Sequence, residues 1–286
     1  MAVWQRVLTY GGVLVVVFGA ALGVGRLVGP VDTASAGHGH DADTHDATTA
    51  GEYRLALAHD VVDGGRAHLA FRILDASGTP VTSYELQHEK ELHLIAVRRD
   101  LAEFRHVHPT LDRASGVWSV PVGLDAGTWR LYADFVPTGG EQAVAESDLS
   151  VAGDFAPRGI GPDQVVSHVD GYVVRLERDG AMLTLHVSRG GHDVTDLEPY
   201  LGAYGHLVAI RADDLAYLHV HPEDAGPGPE IPFHAELDQA GRYRLFLDFQ
   251  HGGRVHTADF TITVDGPEGG DQDDTEMEME RGGHDH

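Results

Sequence analysis

The sequence predicts an all-β protein: two tandem antiparallel sandwiches, immunoglobulin-like or cupredoxin-like, following an N-terminal transmembrane helix. Three observations carry this expectation. Short alternating runs such as YRLALAH, AHLAFRIL, LHLIAV and WRLYADF are separated by Gly, Pro and Asp clusters at a spacing of roughly 8–12 residues, the rhythm of a sandwich. Beyond the N-terminal apolar run no segment sustains a helical period. Residues 81–109 align without gaps on residues 194–222, which marks a duplicated unit.

Taken in chain order, residues 1–30 read as a membrane anchor. Val7 to Gly25 contains no charged residue over 19 positions, enough to cross a bilayer as a helix. Ala34-Ser35-Ala36 has the form of a signal-peptidase site, but the apolar run is longer than a secretory one. A retained anchor is therefore preferred to cleavage after Ala36, and either route exports the rest of the chain. Residues 31–50 include GHGHDADTHDATTA, too polar for a core, and read as a disordered His/Asp-rich linker.

Residues 51–152 form the first repeat and 166–265 the second, with 153–165 (around GDFAPRGIGPDQ) as the linker. The offset between the copies is 113 residues through the pairs Val81/Val194, His93/His206, His106/His219, His108/His221 and Pro109/Pro222. AGTWRLYADF (126–135) then matches AGRYRLFLDF (240–249) after a one-residue slip. Residues 266–286 are an acidic, Gly-rich tail ending in His284-Asp-His286, expected to be disordered.

Composition removes several function classes. The formal charge is −25 with a single lysine, so nucleic acid and anionic lipid headgroups would be repelled. Cysteine is absent, which excludes disulfides, thiolate metal sites and cysteine nucleophiles. The four methionines do not cluster near the histidines, so a thioether Cu(I) site is not expected.

The chemistry is read from His-Val-His-Pro, present at 106–109 and again at 219–222. A turn at Asp100-Leu101 sets a hairpin register that places Arg98 opposite Glu103, His106 opposite Ile95 and His93 opposite His108. A turn at Asp213-Asp214 likewise sets His219 opposite Val208 and His206 opposite His221. Three imidazoles then converge on one face in each copy, a donor set suited to Cu(II) or Zn(II). The rest of that face is apolar: Ile95, Val97 and Phe104, with Val208, Ile210 and Tyr217 in the second copy. It reads as a core face with the histidines at its rim.

The expected metal ligands are thus His93, His106 and His108, and His206, His219 and His221. His256 is an additional ligand for the second copy, and His88 with Glu89 an additional candidate in the first. Asp134 and Asp248, at matching strand positions, read as carboxylates that hold loops. The remaining histidines of the repeats read as surface or packing residues. Neutral imidazoles are required, so capture should weaken as pH falls through about 6.5.

At LGAYGHLVAIRADDLAYLHVHP (201–222) the sequence resembles a bacterial group of membrane-anchored, exported proteins described as secreted or heavy-metal-associated, which carry Gly-His-Leu-Val and His-Val-His-Pro elements. The match is good over the second copy and looser over the first, where Glu91-Leu-His-Leu94 replaces Gly-His-Leu-Val. What the resemblance implies is an extracytoplasmic, metal-related role.

The expectation is therefore a non-enzymatic, membrane-tethered, extracytoplasmic metal-binding protein: a copper or zinc chaperone, buffer or sensor. Its partners would be the ion, the bilayer through residues 7–25, and a metal transporter or metalloenzyme at the membrane. Two alternatives stand beside it. One is an extracellular interaction module of tandem Ig-like domains without a metal; the other is a copper redox enzyme with an open coordination position.

Overall fold

The computed structural model of the protein describes residues 52–265. The expectations for the anchor, the His/Asp-rich linker and the acidic tail lie outside them. Among the described residues the fold is entirely β, and no helix is long and apolar enough to cross a membrane.

Ten strands build the first repeat: β1 (Arg54–Leu57), β2 (Val61–Asp63), β3 (Gly65–Leu74), β4 (Tyr84–Glu85), β5 (His93–Arg98), β6 (Phe104–Val107), β7 (Thr110–Asp112), β8 (Val117–Leu124), β9 (Gly127–Pro137) and β10 (Ala143–Ala152). Ten more build the second: β11 (Val166–Val169), β12 (Tyr172–Asp179), β13 (Met182–Arg189), β14 (His192–Asp193), β15 (His206–Arg211), β16 (Tyr217–His219), β17 (His221–Pro222), β18 (Glu230–His234), β19 (Gly241–His251) and β20 (Arg254–Val264). Residues 153–165 hold no strand.

The first repeat packs the sheet β1-β3-β8-β7 against β2-β10-β9-β5-β6, with β4 added on β9. The second packs β11-β12-β13-β18-β17, with β14 added on β13, against β16-β15-β19-β20. All pairs are antiparallel except β2 with β10. Alternation sorts each strand's side chains between two faces. Leu94 and Ala96 of β5 and Leu131, Ala133 and Phe135 of β9 point into the first sandwich, against Leu69, Phe71, Ile73 and Trp118. Leu207, Ala209, Leu245, Leu247 and Phe249 do the same in the second, against Leu183, Leu185, Val187 and Phe233.

The other face of those strands is buried too. Ile95, Val97, Leu101, Phe104 and Tyr132 of the first repeat form a third apolar cluster with Val208, Ile210, Leu215 and Phe246 of the second. Phe104 stacks on Phe246 with ring centroids 4.3 Å apart, and Tyr132 stacks on Tyr217 at 5.2 Å. The Tyr132 hydroxyl donates to the Leu215 carbonyl, and Arg244 Nε donates to the Leu101 carbonyl at 3.2 Å. The face read from sequence as a sandwich core is therefore the contact between the repeats. Every residue of β5 is buried, the pattern of a strand covered on both sides.

The hairpin registers form as expected where the ladders run. Ile95 pairs with His106 and Val97 with Phe104; Val208 pairs with His219 and Ile210 with Tyr217. Each turn is held by an aspartate. Asp100 accepts from the Ala102 amide at 3.2 Å, and Asp214 from the Ala216 amide at 3.0 Å. The expected Arg98–Glu103 side-chain pair is replaced, because Arg98 Nε reaches Asp100 at 2.9 Å while Glu103 pairs with Arg105 and Arg158.

Candidate metal centre

The site sits where the two inner sheets meet. β5 begins at His93, and β6 ends at Val107 so that His108 follows immediately. β9 sets Asp134 directly beside His93, and β19 sets Asp248 directly beside His206. Parity puts both aspartates on the inter-repeat face, opposite the sandwich interior.

His93, His106 and His108 come together as expected. One ring nitrogen from each lies within 4.8 Å of the others. His93 Nδ1 is 3.0 Å from His106 Nε2 and 3.1 Å from His108 Nε2. Nitrogens held about 2.0–2.1 Å from one ion at tetrahedral angles stand about 3.3 Å apart, so the spacing fits a shared ion.

The outer hydrogen bonds decide which nitrogens face inward. His93 Nε2 lies 3.0 Å from the Gln87 carbonyl, which can only accept, so that nitrogen carries the proton. His106 Nδ1 lies 2.9 Å from Asp248 Oδ2 and donates to it. The two remaining nitrogens, His93 Nδ1 and His106 Nε2, then face each other across 3.0 Å as bare lone pairs. A cation between them removes that repulsion, and His108 Nε2 is the third donor to it. Burial opposes using a proton instead: it pushes His93 down to about 4 and His108 down to about 2. A backbone carbonyl on one ligand and a carboxylate on another are the usual partners of metal-bound histidines.

His206 does not form a separate site remote from the first. Its ring lies 6.3 Å from that of His106 and 6.5 Å from that of His93, across a small cavity lined by both repeats. His206 Nε2 donates to the Tyr200 carbonyl at 2.8 Å, the same arrangement as His93 on Gln87, and burial pushes it down to about 4. For His219 and His221 the backbone is described and the side chains are not. β17 turns away from β15, so that His221 pairs with His234 in the opposite sheet rather than with His206.

His256 is elsewhere. It pairs with Phe249 on the face that points into the second sandwich, opposite Asp248 and Thr257, and packs against Tyr172 at 4.7 Å. Its Nδ1 donates to Asp170 at 2.7 Å. The expectation that it ligates alongside His206 is thus corrected by strand parity.

A model for a family described as "Domain of unknown function (DUF8832)" matches residues 47–153 and again 167–266. The chain belongs to that family. No curated protein matches it. Among solved structures, the chain is similar at 11% identity to a purple acid phosphatase from yellow lupin seeds, over 76% of this chain and 42% of that one, with a TM-score of 0.22. Similarity to Escherichia coli alpha-2-macroglobulin runs at 14% identity over 75% of this chain and 20% of that one, TM-score 0.25. The fibronectin domains FN1–FN3 of chicken CNTN1 match at 11% identity over 72% and 65%, TM-score 0.21. The chain spans less than half the length of the first two.

Two carboxylates of the centre were not read from sequence in their observed roles, while His88, an additional candidate in the sequence, is placed beside them. Asp248 crosses to the other repeat to orient His106, and Asp134 accepts from the Tyr217 hydroxyl at 3.0 Å, again across the boundary. His88 lines the cavity with its ring 5.2 Å from His206 and 6.1 Å from His93. It stands with Glu89 at the centre of a two-residue turn at φ values of 44° and 64°. Gln87 and Lys90 close that turn with hydrogen bonds of 2.8 and 2.9 Å. Such turns favour Asn and Gly, and the equivalent turn of the second repeat carries Leu201-Gly202 at 56° and 79°.

Proposed function

We propose that the chain is a membrane-tethered, extracytoplasmic metal-binding protein that holds Cu(II) or Zn(II) as a chaperone, buffer or sensor. The observation that carries this reading is the convergence of three ring nitrogens, with His93 Nδ1 3.0 Å from His106 Nε2 and 3.1 Å from His108 Nε2. Outer hydrogen bonds from His93 Nε2 and His106 Nδ1 leave the inner nitrogens of these two neutral rings as electron-pair donors, and burial disfavours protonating His93 or His108.

An imidazole set without thiolate or thioether suits Cu(II) and Zn(II) alike. Buried Asp134 and Asp248 stand behind the ligands and offset the charge of a divalent ion. Reversible capture needs nothing more, and the sequence holds no nucleophile–base set or phosphate loop that would add catalysis. Export and tethering rest on residues 7–25, and a metal transporter or metalloenzyme at the membrane is the natural recipient.

Elemental analysis of the purified full chain, dialysed at neutral pH after exposure to Cu(II) or Zn(II), tests the reading. Retained metal that is lost in His106→Ala supports it; a wild-type chain that retains neither metal overturns it.

A further inference from the structure

Each inner sheet sends one buried carboxylate across the boundary between the repeats. Asp134 is 2% exposed and Asp248 4% exposed. Asp248 sits on β19, beside His206 in its own repeat, yet its Oδ2 accepts from His106 Nδ1 in the other. Its second oxygen is held at 2.5 Å by the Thr257 hydroxyl on β20. The first repeat therefore supplies the imidazoles, and the second fixes the orientation of one of them.

The consequence follows from the geometry of an imidazole. With Asp248 in place, His106 has its proton on Nδ1 and its lone pair on Nε2, pointing at His93 and His108. Without it, the ring can turn about its side-chain bonds or shift the proton to Nε2, and either change withdraws the donor from the ion. None of the side chains within the first repeat is seen replacing that carboxylate at His106 Nδ1. Resting on the metal-binding reading above, we propose that the centre is composite: Asp248 is a positioning residue for an ion held by the opposite repeat, so ion capture and docking of the repeats are one linked equilibrium. Linkage of this kind is reciprocal. Whatever holds the repeats together tightens the ion, and the ion holds the repeats together.

The test uses the full chain with Zn(II) for affinity and Co(II) as an optical stand-in whose absorption reports ligand geometry. Asp248→Asn keeps the shape of the residue but not its charge, and Asp248→Ala removes the partner. Both should weaken Zn(II) binding by about 10–100-fold, the usual cost of losing such an outer partner, with Ala the worse. Both should also shift the Co(II) band. Tyr132→Phe serves as the comparison, because it removes a different repeat-crossing hydrogen bond, to Leu215, that involves no histidine. It should lower the apo unfolding temperature, leave the Co(II) band unchanged, and cost less Zn(II) affinity than either Asp248 variant, because linkage passes on only the docking that is lost. If Asp248→Ala does not fold, Asp248→Asn alone carries the comparison. Unchanged affinity and spectrum in the Asp248 variants overturns the proposal, as does an equal loss of affinity in Tyr132→Phe. A wild-type chain that binds no metal would instead remove the proposed function itself.

Discussion

Acidification of the metal-free chain should destabilise it already between pH 6.5 and 5, above the range in which its carboxylates protonate. His93 and His206 are 7% and 9% exposed, and burial lowers both to about 4 from an ordinary value near 6.5. A folded-state value below the unfolded one means that the unfolded chain binds the proton first. Stability is therefore undiminished above pH 6.5 and falls as pH drops from 6.5 towards 4. At pH 5 each of the two histidines has removed about 2 kcal/mol, so the pair removes roughly 4 kcal/mol relative to pH 7. His108 acts in the same direction. For a folded region of this size that is about 8–16 °C in the unfolding midpoint. Calorimetry on chelator-treated protein at pH 7, 6 and 5 measures it, and His206→Asn should flatten the slope. A midpoint that stays level between pH 7 and 5, or a slope untouched by His206→Asn, would refute the argument. The same depression means that His93 and His108 shed no protons on ion capture at pH 5–7. The weakening below about 6.5 expected from free histidines is thus moved to more acid pH for those two ligands.

Other expectations are simpler. His106→Ala should abolish Zn(II) or Cu(II) retention, whereas His256→Ala should leave retention intact and lower stability by roughly 1–3 kcal/mol, because its packing on Tyr172 and its bond to Asp170 are lost. Parallel elemental analysis and denaturant titration separate the two. Phe246→Ala removes a ring stacked at the boundary and should cost about 3–5 kcal/mol, read from the denaturation midpoint. His88→Gly relieves a left-handed backbone conformation and should stabilise the apo chain by about 0.5–1 kcal/mol by chemical denaturation. If it also weakens ion binding, the strain at that turn serves to hold the imidazole at the cavity.

The all-β character and both hairpin registers were legible because alternation and turn chemistry are local. Asp100 and Asp214 sit where a turn needs a side-chain acceptor, and counting outward from them finds Ile95 opposite His106 and Val208 opposite His219. The destination of the histidine face was not legible in the same way. Period-two counting shows that Ile95, Val97 and the histidines share a face, but it does not say what covers that face. The clue lay in HLIAVR and HLVAI, which are apolar at successive positions and so demand cover on both sides. Only one of those covers is the sandwich interior. The same parity placed Asp134 and Asp248 away from their own cores; with no partner sheet in view they read as loop holders, and the crossing bonds to Tyr217 and His106 require knowing that two sheets meet face to face. His256 failed for the converse reason. Sequence matching sets it against Ala143 of the first copy without saying which face it takes; adjacent residues on β20 point to opposite faces, and Thr257 takes the Asp248 side.

The contacts between the repeats are reciprocal in detail. Phe104 meets Phe246 while its counterpart Tyr217 meets Tyr132; Tyr132 donates to Leu215 while Arg244, from a neighbouring strand position in the other copy, donates to Leu101. One patch recognising another of the same construction is the mark of an isologous dimer. The two repeats thus meet as the subunits of an isologous dimer do, like patch on like patch, but within one polypeptide. Joining the halves makes association independent of concentration and frees each half to vary separately. His88-Glu89 facing Leu201-Gly202, and His256 where the first copy has Ala143, are the marks of that freedom.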